Sequence, residues 1–510
     1  MSLMGLDIGT TGCKAVVFSE DGRVLSSRYR EYPLHIPERD RCELDPEEVW
    51  QAVLFVVGKA ASEAGAGDPV KCLGISTLGD SVTFLDSKGA PVHRTIVGAA
   101  DRRALAQARW IEERMSREEI FSLTGAPLHA YSVLAKILWM KEERPDIDRL
   151  VDKYTGWQEI VHLRFGLDPS FDHSLASRTM LMDVRKKDWA VPLLSLCGVP
   201  VERFYPLAPS ISIVGRIGAK AAEATLLPAG AAVAAGGFDQ CCCALGAGVS
   251  KTGTAALTIG TLEAITTVFD TCRLELPLLA GNHGCGLHVI EGMYFTLAYV
   301  TTSGAVLRWY RDTLGGPETA EAHAPDEDQR GSTKPGLNPY DIIIGQTPDR
   351  PSSVFVLPYF AGAGTPWLDV RQKGSVFGLT LDTDRAELVK GILDGICYEV
   401  KLNLESFSSA GVRIEKLRAT GGGAKSDRLL QLRADVTGIP VEAAEVTEAG
   451  CLGAAFLAGL GTGTYASIDD IGEIVRIRKT FEPRPAHVKR YAEGFETYKK
   501  LRARVEGLNI

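Results

Sequence analysis

No run of roughly eighteen or more apolar residues occurs, and the longest uncharged stretches, such as Thr225–Phe238, are rich in Gly and Ala, so no membrane span is expected. A basic surplus is also missing. The formal net charge is −8 and no basic cluster stands out, which leaves no electrostatic footprint for nucleic acid. The eleven cysteines include no Cys-x-x-Cys pair, which argues against a disulfide or zinc framework. No basic region precedes the first strand pattern, so no signal peptide is expected and a reducing cytoplasm fits. Gly-x-x-x-x-Gly-Lys-[Ser/Thr], His-Glu-x-x-His, Gly-x-Ser-x-Gly and the protein-kinase catalytic loop are absent. No Gly-x-Gly-x-x-Gly follows the first strand with an acidic residue about 20 positions on, which weakens a dinucleotide-dependent oxidoreductase.

What is present is a repeat. Leu6-Asp7-Ile8-Gly9-Thr10-Thr11-Gly12-Cys13-Lys14 opens the chain and Leu257-Thr258-Ile259-Gly260-Thr261 echoes it. An ungapped match sets Leu6 on Leu257, Ile8 on Ile259, Gly9 on Gly260, Thr10 on Thr261, Val17 on Val268 and Phe18 on Phe269. Both copies predict strand, tight Gly-Thr turn, strand. Such a turn offers backbone N–H groups and hydroxyls to an anion, because glycine lets the backbone approach closely. Two turns, one per half, predict two related domains gripping one polyphosphate. A chain of 510 residues exceeds what one core usually holds, and 45% hydrophobic with 24% charged residues is ordinary for a globular protein. The expected domains are 1–247 and 248–510.

In the first half, Asp45-Pro46-Glu47-Glu48 predicts a helix start, with Asp as N-cap and Pro at the first helical position. Val70–Ser76 and Val82–Asp86 read as strands, and Arg102–Arg114 and Ser132–Glu143 as helices. Ala231–Gly236 reads as a small-residue strand leading through Asp239 into a helix. In the second half, Pro317–Gly336 is charged and predicts an exposed loop. Asp384 caps a strong amphipathic helix. Leu417–Thr420 is a strand running into Gly421-Gly422-Gly423-Ala424. Helices Asp427–Val436, capped by Ser426, and Ala449–Leu460 follow. Alternating strands and helices predict an α/β fold with each sheet covered on both faces and a ligand between the halves.

Several residues could carry chemistry. Asp7, present only in the first turn, is an acceptor beside phosphate donors; it suits a magnesium ion, or merely caps the turn. Asp239 precedes a helix and could take a proton from an attacking hydroxyl, or act as a plain N-cap. The run Gly421-Gly422-Gly423-Ala424 could underlie a base or phosphate, or be a turn. Asp80, Asp101, Arg102 and Arg103 line either a site or a solvated charged loop. Cys241-Cys242-Cys243 is read as small packing residues rather than a metal site. His283 and His288 lack metal-ligand context.

Together these pieces resemble the FGGY carbohydrate kinases of the sugar kinase, heat-shock 70 and actin superfamily. The likeness runs over nearly the whole chain. It is carried by Asp7-Ile8-Gly9-Thr10-Thr11, Gly236-Gly237-Phe238-Asp239-Gln240, Ile259-Gly260-Thr261, Leu357-Pro358-Tyr359, Thr365-Pro366, Phe377-Gly378-Leu379, Gly421-Gly422-Gly423-Ala424-Lys425-Ser426 and Glu448-Ala449-Gly450-Cys451-Leu452-Gly453-Ala454-Ala455. The resemblance implies two actin-like (ribonuclease H-like) domains, each a mixed sheet flanked by helices, with the active site in the cleft between them. It implies Asp239 as catalytic base and as a metal-side carboxylate together with Asp7. It implies Gly9, Thr10, Thr11, Lys14, Gly260 and Thr261 at the phosphates, and Gly422, Gly423 and Ala424 at the adenosine. Asp80, Arg102, Tyr131 and Asp239 become candidates to hold the sugar. ATP and Mg2+ are the implied cofactors, a small sugar the partner, and a homodimer a possible assembly.

The pattern looks xylulokinase-like, pointing to D-xylulose and D-xylulose 5-phosphate, with glycerol, ribulose and gluconate as alternatives. The departures lie at the sugar. Gly79-Asp80-Ser81 stands where xylulokinases carry Met-His-Gly and glycerol kinases Arg-Glu. Gly98-Ala99-Ala100 replaces an expected tryptophan, and Phe238 a glycine or histidine. A non-enzymatic actin-like nucleotide switch is the competing reading.

Overall fold

The computed structural model describes residues 2–65, 67–98, 101–315 and 339–506. The loop expected at 317–336 lies outside the described residues, as do Ala99 and Ala100. The first half is built on β1 (Ser2–Ile8), β2 (Gly12–Ser19), β3 (Val24–Glu31), α1 (Pro46–Ala64) and β4 (Val70–Thr77). Then come β5 (Thr95–Ile96), α2 (Val133–Glu143), α3 (Trp157–Arg164), α4 (His173–Arg178), β6 (Ile213–Arg216), β7 (Ala232–Ala234), β8 (Gly237–Phe238) and α5 (Asp239–Gly246). The second half contains β9 (Thr254–Ile259), β10 (Glu263–Phe269), β11 (Gly286–Leu287), β12 (Tyr294–Val300), α6 (Gly304–Leu314), α7 (Arg385–Ser409), β13 (Lys416–Thr420), α8 (Asp427–Thr437), β14 (Val441–Ala444), α9 (Ala449–Gly461) and β15 (Ile477–Phe481).

Each half forms a seven-stranded mixed sheet. The first runs β3-β2-β1-β4-β7-β6, with β8 also on β4; the second runs β11-β12-β10-β9-β13-β14-β15. In both, the opening hairpin is antiparallel, its first strand then pairs parallel with the next inner strand, and that strand pairs parallel again. An antiparallel edge strand ends both orders, β6 in one and β15 in the other. The repeated hairpin is therefore the visible part of a repeated sheet.

The ungapped match does not survive past the turn. Ile8 pairs with Cys13, but Ile259 pairs with Glu263, so the second turn is one residue shorter. Val17 faces Met4, and the equivalent of Met4, Ala255, faces Thr267. Val17 thus corresponds to Thr267 rather than Val268, and Phe18 shifts with it. A one-residue slip is tolerated here because β10 is buried along its whole length, so neither face has to stay polar.

One face of the first sheet packs on α1 and α3 through Met4, Leu6, Leu73 and Val233 against Val49, Val53 and Ile160. The other face is covered from the second half by α9. The approach is so close that a Cβ on Gly5 or Gly74 would lie 1.8 Å from a carbonyl oxygen of α9, that of Cys451 or Ala454. In return α5 packs Ala244 against Ala256 and Val268 of the second sheet. The two helices cross at equally tight glycines: a Cβ on Gly453 would meet the Cys242 oxygen at 1.9 Å, and one on Gly246 the Ala449 oxygen at 2.0 Å. Small residues in the α5–α9 crossing are thus a packing requirement. Cys241 and Cys242 are buried there and Cys243 is half-buried.

Local signals mostly mark real boundaries. Asp45 accepts from the Glu47 and Glu48 amides at the start of α1, Asp384 from the Glu387 amide at the start of α7, and Ser426 from the Leu429 amide at the start of α8. The predicted helix Arg102–Arg114 is shorter, Leu105–Glu112. Residues 101–103 are instead held as a loop, with the Asp101 carboxylate accepting from the Cys42 amide at 2.8 Å and the Arg102 amide donating to the Asp40 carbonyl at 2.9 Å.

Candidate active site

The carboxyl ends of β1, β4, β8 and β9 bring the predicted residues together. Asp7 lies beside Ser76 in the parallel β1–β4 register, and the Ser76 hydroxyl donates to it at 2.6 Å. Burial pushes the Asp7 carboxyl above its ordinary range, with Ser76 and Lys14 opposing that rise. Asp239 is not an N-cap. Phe238 is the cap residue, and Asp239 is the first helical residue of α5, accepting from the Gln240 amide at 2.7 Å. Asp239 keeps a partial opening to solvent, yet burial first and the Asp7 charge second push its pKa up to about 8. The two carboxylates therefore stand in each other's field.

In the turns, Thr11 is exposed and Thr10 is half-buried; Gly260 and Thr261 are exposed on the second turn. The second turn is anchored rigidly. The carbonyls of Gly260 and Thr261 accept from the amides of Gly304 and of Ser303 and Ala305 at the start of α6, at 3.0–3.1 Å. Beneath it the buried Glu263 takes a bidentate bond from Arg433 at 2.7 and 2.6 Å and a third from Ser303 at 3.0 Å. Lys14 reaches across the halves to Glu448 at 2.6 Å. Gly421, with φ of 84°, turns the chain over the Ile259 carbonyl, and Gly422 has open space above it. Ala424 faces the core with Leu257 and Ile259, and a Cβ on Gly423 would lie 2.3 Å from the Ile259 side chain, so Gly422 alone forms the open part of that run.

The sugar-side candidates also converge, with a partner that the sequence reading missed. Asp80 sits at φ of 57° and pairs with Arg178, from the end of α4, at 2.7 Å. An arginine from elsewhere in the chain thus meets the carboxylate that follows Gly79. A side chain at Gly79 is blocked, since a Cβ there would lie 2.7 Å from the Phe238 ring, over which Arg178 also lies. Tyr131 stacks on His129 at 3.4 Å and its hydroxyl is 3.4 Å from that of Tyr299 in the second half. The charges of Asp80, Arg178 and Arg102 all reach Tyr299. Asp101 and Arg103 are buried, not solvated; Arg103 pairs with Asp101 and Glu43 at 2.8 and 2.9 Å. They support the loop rather than face the site. His283 bonds Ser406 and the ring of His288 accepts from the Ile290 amide, so each is held in the core through one ring nitrogen.

Lys136 was also missed. It is the one charged residue within the buried stretch Val133–Met140, and that isolation in an apolar run is the signal that marks it. Burial pulls its ammonium down to about 8 against the opposing charges of Asp101 and Asp80. Arg178 carries no comparable local signal.

Two actin-like α/β domains, each bringing a Gly-Thr turn to its strand ends, are the fold of the sugar kinases on which this chain superposes. The chain belongs to the FGGY family of carbohydrate kinases: its N-terminal domain matches residues 2–246 and its C-terminal domain residues 255–462. A gluconokinase from Bacillus subtilis is 29% identical over 479 residues, covering 93% of this chain and 90% of the relative. A glycerol kinase from Polaromonas is 31% identical, covering 94% and 95%. A ligand-bound xylulose kinase from Lactobacillus acidophilus superposes with a TM-score of 0.86 at 22% identity, covering 100% of this chain and 99% of that one. The family is one of enzymes that implies ATP use and a small sugar substrate, and the non-enzymatic switch finds no support. Among the described residues no helix is long and apolar enough to cross a membrane.

Proposed function

We propose that this enzyme transfers the γ-phosphoryl group of ATP to a hydroxyl of a small acyclic polyhydroxylated sugar, with the pentulose D-xylulose the first candidate and D-xylulose 5-phosphate the product. The observation that carries the reading is a set of buried polar atoms without partners, Asp80 Oδ1, Arg178 Nε, Arg102 Nε and His129 Nδ1, on residues close enough to feel one another's charge or that of Tyr299, with Gln240 Oε1 next to Asp239 in the chain. Buried polar groups are normally satisfied, so such a cluster of donors and acceptors calls for a ligand rich in hydroxyls. Glycerol, ribulose and gluconate present the same chemistry in other lengths.

In this reading Asp239 accepts the proton of the attacking hydroxyl. The sugar oxygen then bonds to the γ-phosphorus, the bond to the bridging oxygen breaks, and ADP leaves. A base poised at about 8 is well matched to proton transfer near neutral pH. The Asp80–Arg178 pair and Tyr131 orient the sugar. The turns Gly9-Thr10-Thr11 and Gly260-Thr261, with Lys14, hold the phosphates, and Gly422-Gly423 takes the adenosine face.

The donor set fits magnesium: Asp7 and Asp239 offer hard oxygen ligands with raised pKa values. Among the described residues no three His, Cys, Asp or Glu side chains could hold a metal by themselves, so phosphate oxygens and water would complete the shell. When bound, magnesium supplies charge neutralisation at the phosphates.

The proposed domain boundary at 247/248 falls just after α5. A cytoplasmic location accords with eleven free cysteines. A homodimer is the assembly proposed. The test is a coupled ADP-release assay over ketoses, polyols and aldonates. Sugar-dependent ADP release with D-xylulose at the lowest KM is expected. Sugar-independent hydrolysis, or no release with any of the panel, refutes the reading.

A further inference from the structure

Tyr131 immediately precedes Ser132, the cap of α2, and Lys136 lies one turn further into that helix. The Lys136 ammonium is fully buried and donates to three backbone carbonyls: Asp80 at 2.6 Å, Val97 at 2.8 Å and Gly98 at 3.4 Å. The first belongs to the loop after β4 that carries Asp80, the others to the loop after β5 that leads to Arg102. These two loops touch each other, since a Cβ on Gly98 would lie 3.0 Å from the Gly79 carbonyl oxygen. The same helix is tied to the end of α4, where the Leu134 amide donates to the Thr179 carbonyl at 3.2 Å, one residue beyond Arg178. Four separate stretches of chain that supply Asp80, Arg102, Tyr131 and Arg178 therefore meet at one helical turn. Asp80 moreover holds a left-handed backbone at φ of 57°, a region that aspartate enters more readily than most non-glycine residues.

We propose that Lys136 is a positioning residue for the sugar: its three bonds hold the Asp80 and Arg102 loops in register with Tyr131, so that the Asp80–Arg178 pair faces the substrate. Lys136 itself touches no substrate. The proposal rests on the sugar-kinase reading above. It makes substrate grip depend on a cation in the layer behind the site, because three carbonyls converging on one point need a donor with three hydrogens.

The experiment compares the full-length wild type with K136M and K136R in the coupled ADP-release assay, with the sugar varied at saturating ATP. The wild type is run first; no turnover with any sugar sinks the kinase reading, not the role of Lys136. With turnover established, K136M is expected to raise the sugar KM by about tenfold or more while kcat changes by less than about threefold. K136R, which keeps the charge and hydrogens, is expected to lie between. A merely structural role would instead reduce the active fraction, lowering apparent kcat with the sugar KM unchanged, and that result overturns the proposal. If K136M does not yield folded protein, K136R decides alone: a sugar KM raised several-fold supports the positioning role, and an unchanged one refutes it.

Discussion

Asp239→Asn replaces a carboxyl by an amide of the same shape and removes one ionisable group from the site. In the folded chain the pKa of Asp239 is pushed up to about 8, by burial first and by Asp7 second. In the unfolded chain a carboxyl titrates near ~3.9. Between those values the folded state keeps a proton that the unfolded chain has released. Stability therefore falls as pH rises from about 4 to about 8, and is flat in this respect outside that window. At ~1.4 kcal/mol per pH unit, the loss from pH 4 to pH 7 has an upper bound of ~4 kcal/mol. Partial solvation of the group and relaxation around it bring the expected loss to ~1–3 kcal/mol. The amide cannot ionise, so the variant escapes this loss. Thermal unfolding measured from pH 4 to pH 8 should show the variant above the wild type at pH 7–8, with the gap closing towards pH 4. The shift should be roughly 2–4 °C per kcal/mol for domains of this size. The same substitution removes the proposed base and should lower kcat by about 10²–10⁴-fold. A variant that gains no stability at pH 7–8, or whose advantage is the same at every pH, refutes the electrostatic reasoning. A variant that keeps near-normal turnover refutes the assignment of the base.

Other consequences are open to direct measurement. The wild-type kcat/KM should climb with rising pH through neutrality as Asp239 releases its proton, a limb that a steady-state pH profile resolves. Arg178→Gln should leave Asp80 as an unpaired buried carboxylate, destabilise the fold by about 3–5 kcal/mol and raise the sugar KM sharply. Adding D80N to R178Q should restore stability but not sugar affinity, which denaturant titration and sugar-binding calorimetry can separate. Gly453→Ala puts a methyl 1.9 Å from the Cys242 oxygen, so the α5–α9 crossing must open, at about 1–3 kcal/mol in thermal unfolding. Glu263→Gln loosens the Arg433 pair under the second Gly-Thr turn; the ATP KM should rise while the sugar KM stays near its wild-type value.

Much of the architecture is written locally. Asp45, Asp384 and Ser426 cap the helices that they announce, because capping is decided by one side chain and the amides two or three residues on. The turns at Gly9 and Gly260 are equally local. The one-residue difference in hairpin register was invisible, because register depends on which strand is met across the turn and Ile259 meets Glu263 where Ile8 meets Cys13. The reading of Asp239 as a possible cap failed by one position, since the chain enters α5 already helical at that residue. Asp101 and Arg103 read either as site residues or as solvated loop charges, and the structure makes them buried supports of the loop. Their burial follows from Glu43 and Cys42, which lie far back in the sequence and pair with them only in the fold.

The sequence by itself determined the duplicated strand–turn–strand units and the α/β alternation, because each rests on short-range pattern, and its motifs carried the resemblance to the kinase family and named Asp7, Asp80 and Asp239 as candidates. Tertiary structure alone decided what those carboxylates face. It set Ser76 beside Asp7, Arg178 on Asp80 and Lys136 beneath both sugar-side loops. It also laid α9 of one half across the sheet of the other through glycines that no side chain could replace. The physical reason is the same in each case: charge pairing and close backbone approach act over a few ångströms, between residues that the chain separates by many tens of positions.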